Sequence, residues 1–390
     1  MISVEQALAS LFRLVSALPV ENLSLHQAAG RVLAGPVTAL RDQPPFAASA
    51  MDGYAVRGAE VQDNATWTVV GESAAGHGYK GTVAPGQALR IFTGAPLPDD
   101  LDHVVIQENV VALNDIITLN DGPNTNAYVR PKGADFAQGA TLDFPRRLRP
   151  ADIALLAAMN VASVPVTRRP AVAIIPTGDE LVQPGETPGP DQIIASNSFG
   201  LAAMLEDAGA DVQLLPIARD RASALTTVLG MAQGADLIVT IGGASVGDHD
   251  LVGATAIEMG LDQEFYKVAM RPGKPLMAGR IGASALVGLP GNPVSAMVCG
   301  EVFLKPMIDI LLGLPAQPRM QQTAKLTHDM PPNGPREHYM RATVVEDEIT
   351  VAPKQDSALL TVLQTANALA IRPAHQEQLF KGATLNFITI

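Results

Sequence analysis

In the segment 240–250, TIGGASVGDHD, an apolar strand runs into a glycine-rich loop that ends in two carboxylates. That spacing suits anion binding. Gly242, Gly243 and Gly247 lack a Cβ, so their amides can approach a phosphate or oxyanion closely, with Ser245 in the same loop. Asp248 and Asp250 carry the hard oxygen donors that could hold Mg2+ beside that anion. A tight turn followed by a helix N-cap would use the same residues, and the loop alone leaves both readings open. A second set of acids follows the strand 171–175 in PTGDEL (176–181), where Thr177, Gly178, Asp179 and Glu180 stand at another strand end. Asp220 lies just past a third strand. Acids at such positions often only cap backbone amides. Gathered on one rim, however, like charges raise one another's pKa, and a divalent cation relieves the repulsion.

The counterweight is YKVAMRPGKP (266–275), which places Lys267, Arg271 and Lys274 within a short stretch of an otherwise acidic protein. Arginine grips an oxyanion through paired N–H bonds and lysine supplies a mobile point charge. A solvated surface strand is the competing account, and the anion site is preferred over it. LPGNPVS (289–295) then brings Pro290, Gly291, Asn292 and Ser295 to the start of a helix, whose unbonded amides favour negative charge. SAMDGYA (49–55) and TGAP (93–96) hold Asp52 and Thr93, and spacing alone reads both segments as ordinary β-turns.

Elements that would aim these groups are legible in the hydrophobic pattern. From residue 170 onward strands and helices alternate: strands at 171–175, 212–216 and 237–241, helices at 198–208, 221–232 and 251–259. This is the pattern of a doubly wound parallel sheet, in which ligands sit at the carboxyl ends of the strands. Asn292 and Pro293 start a last helix that Pro306 is expected to kink before Gly313 ends it. Ser3 and Gln6 form a capping box for a first helix running to about residue 18, and a helix at 150–159 is expected to pack back on it. Between them, residues 43–136 break into short apolar runs cut by Gly, Pro, Asn and Asp, a β-rich insert.

The expected fold class is therefore multidomain α/β and β. An N-terminal helical and linking part covers 1–42 plus 137–169, and the β-rich insert covers 43–136. A central doubly wound α/β domain covers 170–316, and a small C-terminal β domain covers 317–390.

Composition narrows the function classes. With 390 residues, 47% hydrophobic and a net charge of -12, no broadly basic face is expected, which argues against nucleic acid and anionic membranes as partners. The single cysteine, Cys299, excludes an intrachain disulfide and a CxxC zinc set, and fits a reducing cytoplasm. Neither an export signal nor a membrane span is read from the sequence. The seven histidines are scattered, and His249 between Asp248 and Asp250 is assigned no role.

In their order along the chain, SAMDGYA, TGAP, PTGDEL, GGASVGDHD (242–250), YKVAMRPGKP and LPGNPVS resemble the molybdopterin molybdenumtransferases, the MoeA and gephyrin E-domain family. The resemblance spans essentially the whole chain. It implies a MogA-like molybdopterin-binding α/β domain and an enzyme of molybdenum cofactor synthesis. That enzyme takes adenylylated molybdopterin and molybdate, inserts the metal at the dithiolene with Mg2+, and releases AMP. It also implies Mg2+-binding acids at Asp179, Glu180, Asp220, Asp248 and Asp250, and a further acid at Asp135. A homodimer is implied as well, with Asp52 and Thr93 acting in trans on a site shared between subunits. The molybdopterin adenylyltransferase and the cofactor-receiving enzymes are the implied protein partners. Many members have KPGKP where this chain has Arg271-Pro-Gly-Lys-Pro275, so a planar fork replaces a point charge. Three rival readings are the preceding adenylyltransferase, which resembles the α/β domain alone, a gephyrin-type scaffold, and a molybdate-binding transport protein. The extra domains, the retained acids and bases, and the missing export signal speak against them in turn.

Overall fold

The computed structural model describes residues 1–123, 125–243 and 251–390. Ser245, Gly247, Asp248, His249 and Asp250 fall outside the described residues. The chain divides into two compact units, Asn22–Val166 and a second formed by Met1–Glu21 with Thr167–Ile390.

At the centre of the second unit is Leu237–Ile241, five buried residues that pair in parallel with Ala171–Pro176 on one side and Ser284–Leu289 on the other. β-Branched side chains suit a strand covered on both faces. Asp211–Leu214 extends the parallel set beyond Ala171–Pro176, while Met277–Ile281 and Leu261–Phe265 complete the other edge in antiparallel fashion. Parallel neighbours need long crossovers. Helices Ser196–Asp207 and Ala222–Met231 supply two of them. From Ala171–Pro176 the chain moves to one side of the sheet, and from Leu237–Ile241 it moves to the other. The crevice between Pro176 and Ile241 is thus the topological switch point, where an open α/β sheet leaves room for a ligand.

The expected doubly wound pattern is present, with the ends of its strands and helices shifted by one or two residues. The last helix holds a larger difference. Pro293–Cys299 and Lys305–Leu311 are α-helical, but Gly300–Leu304 between them is a π-helix. Pro306 has no N–H to donate, and widening the turn ahead of it is one way to carry proline inside a helix. The first helix is Val4–Leu14, shorter than expected, with the Ser3 and Gln6 capping box formed. It is built into the α/β unit, where the Ile2 amide donates to the Lys267 carbonyl and Arg280 donates to the Leu14 carbonyl. Pro150–Ala158 packs on Leu25–Ala28 within the other unit, so the two helices expected to pair belong to different units.

The remainder of the second unit is a barrel. Glu337–Val345, Glu348–Val351, Gln322–Leu326, Thr384–Thr389 and Ala368–Arg372 pair in turn, and the last pairs back with the first. Closure removes free edges. One contact ties it to the cation-rich segment: Met270–Arg271 lies parallel to Glu337–Val345, with Arg271 opposite His338.

In Asn22–Val166 the main feature is a six-stranded sheet. Its order is His103–Ile106, Gly53–Val56, Gln87–Ile91, Thr66–Ser73, Ile116–Leu119 and Val110–Leu113. Alternate residues build two cores, with Ala55, Leu89 and Val104 in one and Val56, Ala88 and Val105 in the other. Among the described residues no helix is long and apolar enough to cross a membrane.

Candidate functional site

Three loops leave the carboxyl ends of the central strands side by side. Thr177 follows the first, and its amide and hydroxyl both donate to the Ile241 carbonyl, at 2.9 and 3.2 Å. Gly242 follows the second and donates to Leu289 of the third at 3.0 Å. Gly242 has φ +95°, and a Cβ there would lie 2.6 Å from the Thr177 carbonyl oxygen, so only glycine lets these loops close up. The Asn197 amide nitrogen donates to the Gly291 carbonyl at 2.7 Å and fixes the third loop.

The result is a cleft of about 560 Å³, within the ordinary range for small-molecule sites of roughly 300–1,000 Å³. Thr177, Glu180, Gly242, Gly243, Pro290, Gly291 and Asn292 all line it. A second hollow of about 330 Å³ shares Pro275, Pro290 and Asn292 with the first. Here Arg271, Lys274 and Ser295 are joined by Arg336, Gln355, Asp356 and Ser357 of the barrel. An anionic ligand reaching from one hollow into the other would meet three cations and a helix N-terminus.

Asp179 and Asp220 face each other next to the cleft rather than in it. The Asp220 amide donates to Asp179 Oδ1 at 3.2 Å and the Asp179 amide donates to Asp220 Oδ2 at 3.4 Å. Arg219 binds the carbonyls of Gly178, Asp179 and Leu181 and holds this loop from below. Gly178, with φ +145°, keeps the turn compact. Lys267 lines neither hollow, and its ammonium lies 5.1 Å from the centre of the Tyr266 ring. Glu180, Asp179 and Asp220 offer only oxygen donors, the chemistry a hard cation such as Mg2+ takes. Among the described residues there is no group of three or more His, Cys, Asp or Glu that could hold a metal ion.

The other unit carries its own polar turn. The Thr93 amide and hydroxyl donate to Asp52 Oδ1 at 2.7 and 2.8 Å. Those two bonds, the amide first, hold the Asp52 carboxyl below its usual range despite some burial, with Arg90 adding a smaller attraction. Asp135 lines a hollow of about 590 Å³ together with Gly94, Arg130 and Gln43.

Sequence reasoning missed the barrel's share of the cationic hollow. Arg341 is fully buried and donates to the Lys354 and Asp356 carbonyls at 3.0 and 3.1 Å, while Gln355 bonds both its amide and its carbonyl. These contacts set the 354–357 loop at the rim. His338 is buried beside it, and burial together with the charges of Arg271, Arg341, Arg336 and Arg372 pushes its imidazole down to about 4. Nothing in the local sequence around Arg336 marks it, because its hollow forms only where separate segments meet.

Comparison with known proteins covers nearly the whole chain. Residues 2–160 match the family described as MoeA N-terminal region (domain I and II), 173–309 the probable molybdopterin binding domain, and 323–390 the MoeA C-terminal region (domain IV). A molybdopterin molybdenumtransferase of Nostoc sp. is 36% identical over 93% of this chain and 87% of its own. Molybdopterin molybdenumtransferase 2 of Mycobacterium tuberculosis is 38% identical over 93% of each chain. The crystal structure of a molybdopterin biosynthesis MoeA protein from Pyrococcus horikoshii superposes with a TM-score of 0.85 at 27% identity, covering 100% of this chain and 99% of that one.

Proposed function

Since this chain belongs to the molybdopterin molybdenumtransferase family and carries out molybdenum insertion in molybdenum cofactor biosynthesis, we propose that its strand-end cleft takes adenylylated molybdopterin and its cationic hollow takes molybdate. The observation that carries this assignment is the shared wall of Pro275, Pro290 and Asn292, which brings a phosphate-sized glycine cradle and an oxyanion-sized cation cluster together. The amides near Gly242, Gly243 and Gly291 orient the phosphates beside Thr177, and the sequence assigns Gly178, Ser245 and Gly247 to the same ligand. Arg271, Lys274, Arg336 and Ser295 hold the oxyanion where the dithiolene can reach it, and Lys267 adds to the positive field.

Glu180, Asp248 and Asp250 would hold Mg2+, which when bound supplies positive charge against the phosphoanhydride as AMP leaves. Asp179 and Asp220 orient this edge from outside. In a homodimer, Asp52, Thr93 and Asp135 of the partner subunit's β-rich unit would complete the site. Asp52, held ionised by Thr93, accepts hydrogen bonds and cannot donate them. We place the reaction in the cytoplasm, with the adenylyltransferase supplying the substrate and molybdenum enzymes receiving the product.

The test is AMP release from adenylylated molybdopterin by the purified protein with Mg2+ and molybdate. Glu180→Gln, Asp248→Asn and Asp250→Asn are expected to lose molybdate-stimulated release and the formation of active cofactor while staying folded. Full release in all three would remove the assignment of these acids.

A further inference from the structure

We propose that Arg90 is the positioning residue for Asp52 and Thr93. Its guanidinium carbon lies 4.9 Å from the centre of the Tyr54 ring and 4.8 Å from that of Phe92, held by both aromatic faces. The fork that remains is used in two directions. One nitrogen donates to the carbonyl of Gly53, the residue after Asp52, at 3.0 Å, and the other donates to Gln107 Oε1 at 2.7 Å. The Gln107 backbone N–H in turn donates to the Asp52 carbonyl at 3.1 Å. Arg90 thus binds both segments that flank Asp52 in space, and through Phe92 it rests on the residue before Thr93.

The register explains why this position can do so. Tyr54 pairs with Arg90 and Gly53 with Ile91, so Arg90 stands where the Gly53–Val56 and Gln87–Ile91 strands give way to the two turns. Gly53 has no room for a side chain against the Val105 carbonyl, which keeps Gly53–Val56 close to His103–Ile106, the strand that leads into Gln107. Lysine could keep the charge between the rings but could not make two bonds in one plane. Arg90 also contributes to holding Asp52 ionised. It touches neither proposed substrate, so its effect on the reaction passes through the Asp52 and Thr93 pair.

This inference rests on the reading that Asp52 takes part in the reaction, and the experiment separates the two. AMP release is measured for the wild type, Arg90→Lys, Arg90→Gln, Asp52→Asn and the Arg90→Gln and Asp52→Asn double variant. The Asp52 carboxyl is titrated by carbon NMR in the wild type and both Arg90 variants. Arg90→Gln is expected to lower kcat about tenfold with KM for adenylylated molybdopterin little changed, and Arg90→Lys to recover part of the loss. The double variant is expected to be no slower than Asp52→Asn alone, since the two changes act on one element. Asp52 is expected to titrate at higher pH in Arg90→Gln. Independent losses in the double variant, or an unmoved Asp52 titration, would overturn the positioning role. A fully active Asp52→Asn would instead overturn the reading beneath it, while the titration still reports whether Arg90 holds Asp52. If Arg90→Gln does not fold, Arg90→Lys and its double variant with Asp52→Asn carry the kinetic comparison, since lysine removes the two bonds in one plane.

Discussion

Replacing Gly242 with alanine tests whether the cleft depends on a backbone that only glycine can supply. Gly242 has φ +95°, and the new methyl would lie 2.6 Å from the Thr177 carbonyl oxygen and 3.0 Å from its hydroxyl. Left-handed backbone costs an L-residue about 1–2 kcal/mol. Overpacking adds about 1–3 kcal/mol, because the atom in the way is backbone and cannot rotate aside. Gly234 separates the two contributions. It has φ +88° but nothing within 4 Å of where an alanine methyl would sit, so Gly234→Ala should show the conformational cost alone. The gap between the variants, about 1–3 kcal/mol, corresponds to several degrees at about 2–4 °C per kcal/mol for a domain of 150–250 residues. Thermal unfolding of both variants beside the wild type measures it. AMP release should fall sharply in Gly242→Ala, since Thr177 and Gly242 must part at the phosphate end of the cleft, and should be unchanged in Gly234→Ala. Equal midpoints for the two variants, or full turnover by Gly242→Ala, would refute the reasoning.

Four further outcomes are expected. Burial raises the Asp152 carboxyl, but the Arg149 amide bond and the charges of Arg146 and Arg149 outweigh it and leave the group lowered. Its contribution is therefore complete above the unfolded value near about 3.9 and is lost as pH falls through the lowered folded value. Asp152→Asn should lower the urea midpoint at pH 7 and flatten its acid limb, and an unchanged limb would contradict this. His338, lowered to about 4 by burial and four arginines, favours folding fully above pH 6.5 and loses that contribution as pH falls through about 4. His338→Gln should flatten the stability profile across that window, measured as urea midpoints against the wild type, in which His103 titrates with the same sign. Arg271→Lys should keep partial activity and Arg336→Ala should raise KM for molybdate several-fold in the AMP-release assay; a folded but inactive Arg271→Lys would show that fork geometry outweighs charge.

Sequence periodicity and turn chemistry were enough to determine the doubly wound domain, the β-rich insert and the β nature of the C-terminal part. Buried parallel strands such as Leu237–Ile241 are written as continuous β-branched runs, and Ser3 with Gln6 or Asn292 with Pro293 mark helix starts through local hydrogen-bonding chemistry. Local patterns likewise marked Glu180, Gly242, Arg271 and Lys274, whose residue types are informative without knowledge of their neighbours. Long-range placement was decided only by the tertiary structure. The first helix has one apolar face, and periodicity says that the face is buried but not against which partner. Its place in the α/β unit follows from contacts with Lys267, Arg280 and Leu311, each more than 200 residues away. The reciprocal hold of Asp179 and Asp220 and the arrival of Arg336 and Ser357 beside Arg271 have the same origin. Each arises where distant segments share space, and no spacing along the chain encodes which segments those are.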